Sequence, residues 1–146
     1  MSIDLAKIRN SIGSLSLTRQ LPESMRQRFV ISMLGVGDAA QGHEGDVLFT
    51  ENDKSDELAY ILITGEVEVQ KSGMPSQEVS APDLFGEIQQ LNPEGVRTAT
   101  LRVKDNAVLL RFSWNAFFAL ALTMFSEQEM ATLRRALEDL AWSHTV

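Results

Sequence analysis

From Gly45 to Phe112 the chain consists of short apolar stretches cut by turn residues, and this pattern restricts the fold more than any other feature. Glu66-Val67-Glu68-Val69-Gln70 alternates strictly. So does Thr98 to Val103, with Ala99, Leu101 and Val103 on one face and Thr98, Thr100 and Arg102 on the other. Successive strand side chains point to opposite faces, so alternation of this kind describes strands with one face in a core. Val47-Leu48-Phe49, Tyr60 to Ile63 and Ala107 to Phe112 read as further short strands. Turn composition separates them at Glu51 to Asp56, Thr64-Gly65, Ser72-Gly73-Met74-Pro75 and Asp105-Asn106. Many short strands at this spacing predict an antiparallel roll or barrel rather than a parallel sheet.

Helices flank the strands, which makes the fold class α+β. Met25, Phe29 and Met33 recur every fourth residue and give one apolar stripe from Pro22 to Leu34. Pro22 suits the first helical position, and Gly35 and Gly37 suit the helix end. A weaker amphipathic piece around Ile3 to Ile12 stops at Gly13. On the other side, Ser113 suits the cap of a helix running from Trp114 to about Thr123. Ser126 and Glu129 have capping-box spacing ahead of a last helix carrying Met130, Leu133, Leu137 and Leu140. With 146 residues this is one domain: helices over 1–44, a roll over 45–112 and helices over 113–146.

Composition removes several functions. A net charge of −7 opposes general nucleic-acid binding, which relies on Lys and Arg against phosphates. No apolar stretch approaches the roughly 18 residues of a membrane span, and no signal peptide is apparent at the N-terminus. The absence of cysteine excludes disulfides and thiolate metal sites and fits a cytoplasmic setting. Only two histidines are present, His43 and His144, too few and too far apart in sequence to suggest a metal-dependent enzyme.

Chemistry concentrates in Leu84-Phe85-Gly86-Glu87-Ile88-Gln89-Gln90-Leu91 and, beyond a Pro/Gly loop, Val96-Arg97-Thr98-Ala99-Thr100. Gly86 lets the backbone come close to a ligand and is expected to open a short helical turn. The N–H groups of Glu87, Ile88 and Gln89 would be free donors at such a start, which favours an anion. Arg97 has the parity of Ala99, Leu101 and Val103, so its guanidinium is expected to face inward. There it needs a counter-anion, either Glu87 or a bound phosphate, and its planar fork matches two phosphate oxygens. The arrangement offers a phosphate end at Arg97 and a hydroxyl-accepting end at Glu87. An ordinary Glu87–Arg97 ion pair is the plainer reading of the same residues.

The span from Gly45 to Phe118 resembles the cyclic nucleotide-binding domain of catabolite-activator-type regulators, cAMP-dependent kinase regulatory subunits and cyclic-nucleotide-gated channels. Tyr60 to Val69 is similar to that family's hairpin around a turn glycine, Phe85-Gly86-Glu87 to its phosphate-binding cassette (84–100 here), and Arg97-Thr98-Ala99-Thr100 to the cassette's end. The resemblance implies an eight-stranded antiparallel roll binding cAMP or cGMP as ligand, with no other cofactor. It implies that Glu87 binds the ribose 2′-hydroxyl and Arg97 the cyclic phosphate, with backbone N–H groups around Ile88, Gln89 and Thr98 completing the cradle. An arginine followed by threonine is associated with cGMP in the family, but strict alternation would turn Thr98 away from Arg97, and the choice stays open.

The resemblance also implies that the C-terminal helix either covers the base or pairs with its mate in a homodimer. As a lid, it would bring Arg134 or Arg135 to the purine or to Glu87 and Trp142 onto the base, and solvated or peripheral positions are the plainer reading of all three. Packing of that helix on its own domain is the simpler expectation. The chain ends at Val146, which leaves no room for a downstream helix-turn-helix, so the expected role is a stand-alone, non-catalytic regulatory module that moves its C-terminal helices against an unknown protein partner. Gln89 stands where the family usually has a small residue, and Asn52 and Pro82 stand where turn glycines are common. The alternative is therefore a protein-interaction module with the same roll and a closed, non-binding pocket.

Overall fold

Two long strands organise the sheet. In the computed structural model, which describes residues 4–86 and 95–145, β3 (Leu58–Gln70) and β6 (Thr100–Ser113) pair antiparallel from Leu58↔Ser113 to Gln70↔Thr100. Each carries two short partners, one per half. β1 (Asp38–Gly42) pairs with the C-terminal half of β6 and β2 (Val47–Phe49) with its beginning. β5 (Asp83–Phe85) pairs with the first half of β3 and β4 (Gln77–Ser80) with its second. This is the antiparallel roll that the alternation predicts. Among the described residues it has six strands rather than the eight implied by the resemblance, and the sheet does not close into a barrel.

The difference in count arises at two expected turns. Thr64-Gly65 and Asp105-Asn106 do not reverse the chain; they are bends inside single long strands, where the β3–β6 register shifts between Leu62 and Val67. Gly65 supplies the left-handed backbone for this (φ 94), and it sits directly on Asn106 and Ala107 of the partner strand. The two bends are one feature.

Residues 59–63 are buried at every position because both faces of β3 are covered there. Ala59, Ile61 and Ile63 join a core shared with the helices, while Tyr60 and Leu62 join the roll interior with Val67, Phe85, Leu101, Val103 and Leu109. The helical side is built by α1 (Leu5–Gly13), α2 (Ser16–Gln20), α3 (Glu23–Val36), α4 (Trp114–Met124) and α5 (Glu127–Thr145). Met25, Phe29 and Met33 are buried as predicted, although Pro22 is the N-cap rather than the first helical residue and Gly37 rather than Gly35 ends α3. Residues 38–42, expected within the N-terminal helical segment, form β1 instead. The short segment has almost no apolar alternation (Asp-Ala-Ala-Gln-Gly), so pairing with β6 rather than its own pattern makes it a strand. The five-residue α2 was likewise not legible; it is held by Thr18, whose hydroxyl donates to the Ile12 carbonyl at 2.6 Å.

Ser113 caps α4, its side chain accepting from the Ala116 N–H. Ser126 and Glu129 form the reciprocal capping box: Ser126 N–H donates to Glu129 Oε1 at 2.9 Å, and Glu129 N–H donates to Ser126 Oγ at 3.1 Å. Met130, Leu133 and Leu137 are buried, and Leu140 packs against the same helical core. The stripe that could have been a dimer seam is thus used within the domain, against α2 and α4. A homodimer through α5 would have to use its outer face.

Arg28 of α3 ties this capping box to the rest of the core. It donates to both Glu129 oxygens, at 2.9 and 2.5 Å, and to the Met124 carbonyl at 3.0 Å. The Arg28 hydrogen bond, helped by the Ser126 N–H, holds the Glu129 carboxyl down at about 2, against 4.5 for an ordinary glutamate. Because the folded value is the lower one, the Glu129 contribution is complete above about pH 4.5 and is lost as pH falls toward 2. Urea midpoints measured from pH 6 to pH 2.5 should therefore fall less steeply for Glu129→Gln than for wild type. Parallel curves would show that the pair does not act on stability.

Candidate functional site

Arg97 follows the parity of the strand it precedes: Arg97, Ala99, Leu101 and Val103 are buried, while Thr98 and Arg102 are exposed. Its position is fixed before β6 starts, by pairing with the loop after β2. Arg97 N–H donates to the Asp53 carbonyl and Asn52 N–H to the Arg97 carbonyl, both at 2.8 Å, while Ser55 N–H donates to the Gly95 carbonyl. Asn52 turns this loop with φ 72, the left-handed geometry expected of a residue in a turn-glycine position.

The loop brings Asp56 to the guanidinium. Arg97 is 2% exposed, whereas the Asp56 side chain is 59% exposed, so a buried cation meets an anion that remains in water. Asp56 Oδ1 accepts from Arg97 Nη2 and also, at 3.1 Å, from the Leu58 N–H, which fixes the carboxylate. The same Nη2 donates to the Leu58 carbonyl at 2.9 Å. Phe49 of β2 lies across the guanidinium, 4.3 Å from ring centre to Cζ, a cation–π distance. Beside Phe49, burial pushes the Tyr60 phenol upward, with Asp56 adding to the shift, so the wall of the site near Arg97 stays uncharged there.

Gly86 reaches the same place from the other side. It has φ 120, and a Cβ on it would lie 2.8 Å from Ala59 Cα and 3.0 Å from the Leu58 carbonyl oxygen, the atom that Arg97 binds. Here the need for glycine is close approach to β3. The fold thus brings Gly86 and Arg97 to one peptide, Leu58–Ala59. Glu87, Ile88 and Gln89, with the short helix expected after Gly86, lie outside the described residues. Thr98 is exposed, turned to the face opposite Arg97 as alternation requires. Arg134 is exposed on α5, and among the described residues no hydrogen bond, ion pair or ring contact joins it to the surroundings of Arg97. The side chain of Trp142 is outside the description.

The sequence suggests Glu87 or phosphate as the counter-anion, and the structure adds Asp56 and Phe49. A signal exists: Asp56 lies in the acidic turn just before the apolar run 58–63, and Phe49 ends the strand that enters that turn. What alternation does not encode is that this loop crosses back to pair with residues 95–97. A separate cleft of about 490 Å³ opens between α1 and the β3 bend, lined by Lys7, Asn10, Thr64, Glu66 and Asp105 among others, and includes none of the expected ligand residues. Among the described residues no cluster of three or more His, Asp or Glu suits a metal ion, and no helix is long and apolar enough to cross a membrane.

The structure is an α+β antiparallel roll with a buried arginine beside Gly86 and helices at both ends. Residues 42–124, more than half of the chain, match the family model of the cyclic nucleotide-binding domain. The chain belongs to the cyclic nucleotide-binding domain family.

Solved structures agree on the fold. A Ruegeria pomeroyi DSS-3 protein, named provisionally as a cyclic nucleotide binding protein, superposes with TM-score 0.68 at 13% identity, over 98% of this chain and 62% of that one. The cAMP-bound PfPKA-R fragment 141–441 gives 0.61 at 22% identity, over 82% and 43%. The sensor domain of the transcriptional regulator DNR from Pseudomonas aeruginosa gives 0.64 at 17%, over 93% and 91%. The chain therefore spans less than two thirds of the first two and nearly all of the third. No curated protein matches it.

Proposed function

We propose that this domain is a non-catalytic regulatory receptor for a cyclic nucleotide. Arg97 holds the cyclic phosphate, Glu87 takes the ribose hydroxyl, and Gly86, Ile88, Gln89 and Thr98 lend their backbone to the cradle. Arg134 is assigned the approach to the base from α5. The observation that carries the reading is the burial of Arg97, at 2% exposure. A guanidinium out of water is surrounded by anions and acceptors, and Asp56, one of them, meets it from the solvent side, where its charge is screened. A compact diester entering beside Arg97 would meet the cation where water is excluded, and there each charge-assisted bond is strong. Family membership supports the same ligand class.

In this reading the N-terminal helices with β1, the rest of the roll and the C-terminal helices act as one unit in the cytoplasm. Ligand shifts α4 and α5, and a protein partner meets a changed surface. Such coupling requires that the nucleotide bind two helix arrangements with different affinity. The Asp56–Arg97 pair favours one other reading, a protein-interaction module whose roll needs no ligand because its cation is already neutralised. Calorimetric titration with cAMP and with cGMP separates the two. Saturable one-to-one binding of either nucleotide is the expected result. No heat from either, by protein whose circular dichroism is native, would overturn the receptor and leave the interaction module.

A further inference from the structure

The first two residues of α4 each hold one wall of the Arg97 site. Trp114 Nε1–H donates to the Gly86 carbonyl at 3.3 Å, where β5 gives way to the cassette. Asn115 Nδ2 donates to Glu57 Oε2 at 2.6 Å. Glu57 stands between Asp56, the ion partner of Arg97, and Leu58, whose carbonyl Arg97 also binds.

Neither bond is needed to start the helix, because Ser113 already caps it. Trp114 is 3% exposed and packs edge-on against Phe112 and Phe117, with ring centres 4.8 and 5.8 Å away. An indole buried so deeply needs an acceptor for its N–H, and here the acceptor is the cassette backbone rather than the helix bundle. Glu57 has φ 66, a left-handed conformation that a residue with a side chain keeps only when its surroundings fix it. Asn115 and the Ser55 hydroxyl, which accepts from the Glu57 N–H at 3.2 Å, are those surroundings. β6 passes into α4 directly at Ser113, so no slack loop separates the helix from the sheet. When one wall moves relative to the other, both bonds hold only if the helix pivots.

We propose that Trp114 and Asn115 are positioning residues of the site: a two-point tie between the start of α4, the cassette at Gly86 and the loop at Asp56–Leu58, through which a ligand that displaces either wall turns α4. The proposal rests on the nucleotide reading and adds how the site is read out. Trp114→Phe keeps the ring and loses the bond. Asn115→Asp sets a carboxylate against Glu57 while favouring the helix, since a negative charge in the first turn suits the dipole.

Calorimetry with cAMP or cGMP, paired with hydrogen exchange of residues 114–124 with and without nucleotide, tests the tie. Each variant should bind about fivefold more weakly, the scale of one lost hydrogen bond, and the ligand-dependent change in α4 exchange should fall by at least about half. Asn115→Asp should do this without lowering the melting temperature, which a merely structural role would not produce. Wild-type affinity and a wild-type α4 response in both variants would overturn the tie. If the wild type binds neither nucleotide, the receptor reading fails instead. The tie then rests on Trp114→Phe in the free protein, where faster exchange at Leu84–Gly86 supports it and unchanged exchange overturns it.

Discussion

Arg97→Met is expected to remove nucleotide binding while leaving the fold about as stable as before. Methionine fills much of the arginine volume, and its sulfur suits the ring of Phe49 that now faces the guanidinium. The substitution takes a charge out of a place where burial disfavours it, and Asp56, already 59% exposed, returns to water at little cost. Against this stands the lost bond to the Leu58 carbonyl, so stability should change by no more than about 1–2 kcal/mol. Affinity has no such compensation. Losing a charge-assisted bond inside the site should weaken binding by at least about 3 kcal/mol, more than a hundredfold.

Asp56→Ala should show the opposite pattern. It removes the Asp56 carboxylate from the buried cation and should cost about 2–3 kcal/mol, below the figure for a fully buried pair because Asp56 itself is hydrated. Saturating nucleotide should restore that stability, since the ligand brings a replacement anion and binds only the folded state. Urea titrations with and without nucleotide, beside calorimetry, measure both quantities. If Arg97→Met binds as wild type does, the phosphate is not held by this residue.

How much of this was legible follows from what alternation encodes. Period-two patterning carries the facing of a side chain, so the inward direction of Arg97 and the outward direction of Thr98 could be read and agree with the structure. Capping also acts between neighbours in sequence, and the Ser126–Glu129 box is present as spaced. Pairing across long separations leaves no such local trace. Nothing in Asp38–Gly42 announces a strand, because its partner lies near residue 109, and nothing in the 51–58 turn announces that it crosses to residues 95–97. The same limit hid Asp56 as the ion partner and Trp114 as the cassette's neighbour.

Gly65→Ala is expected to be among the most destabilising single-methyl changes this domain can receive, and Gly73→Ala is its control. Both glycines are left-handed, with φ 94 and 78, so each replacement pays the backbone penalty of about 1 kcal/mol or more. They differ in what a methyl group would meet. At Gly73 nothing lies within 4 Å, whereas at Gly65 the new Cβ would sit 2.8 Å from Ala107 Cα and against the Asn106 carbonyl oxygen. Backbone atoms of a paired strand cannot swing aside as a side-chain tip can. The bends of β3 and β6 would have to separate, at a total cost of about 3–5 kcal/mol. This is a large part of the 5–15 kcal/mol that holds a typical domain. The urea midpoint should therefore fall by about 2 M for Gly65→Ala, and by well under half of that for Gly73→Ala. Equal losses in the two variants would mean that left-handed backbone alone selects glycine at position 65, and that the bend does not depend on its contact with Asn106 and Ala107.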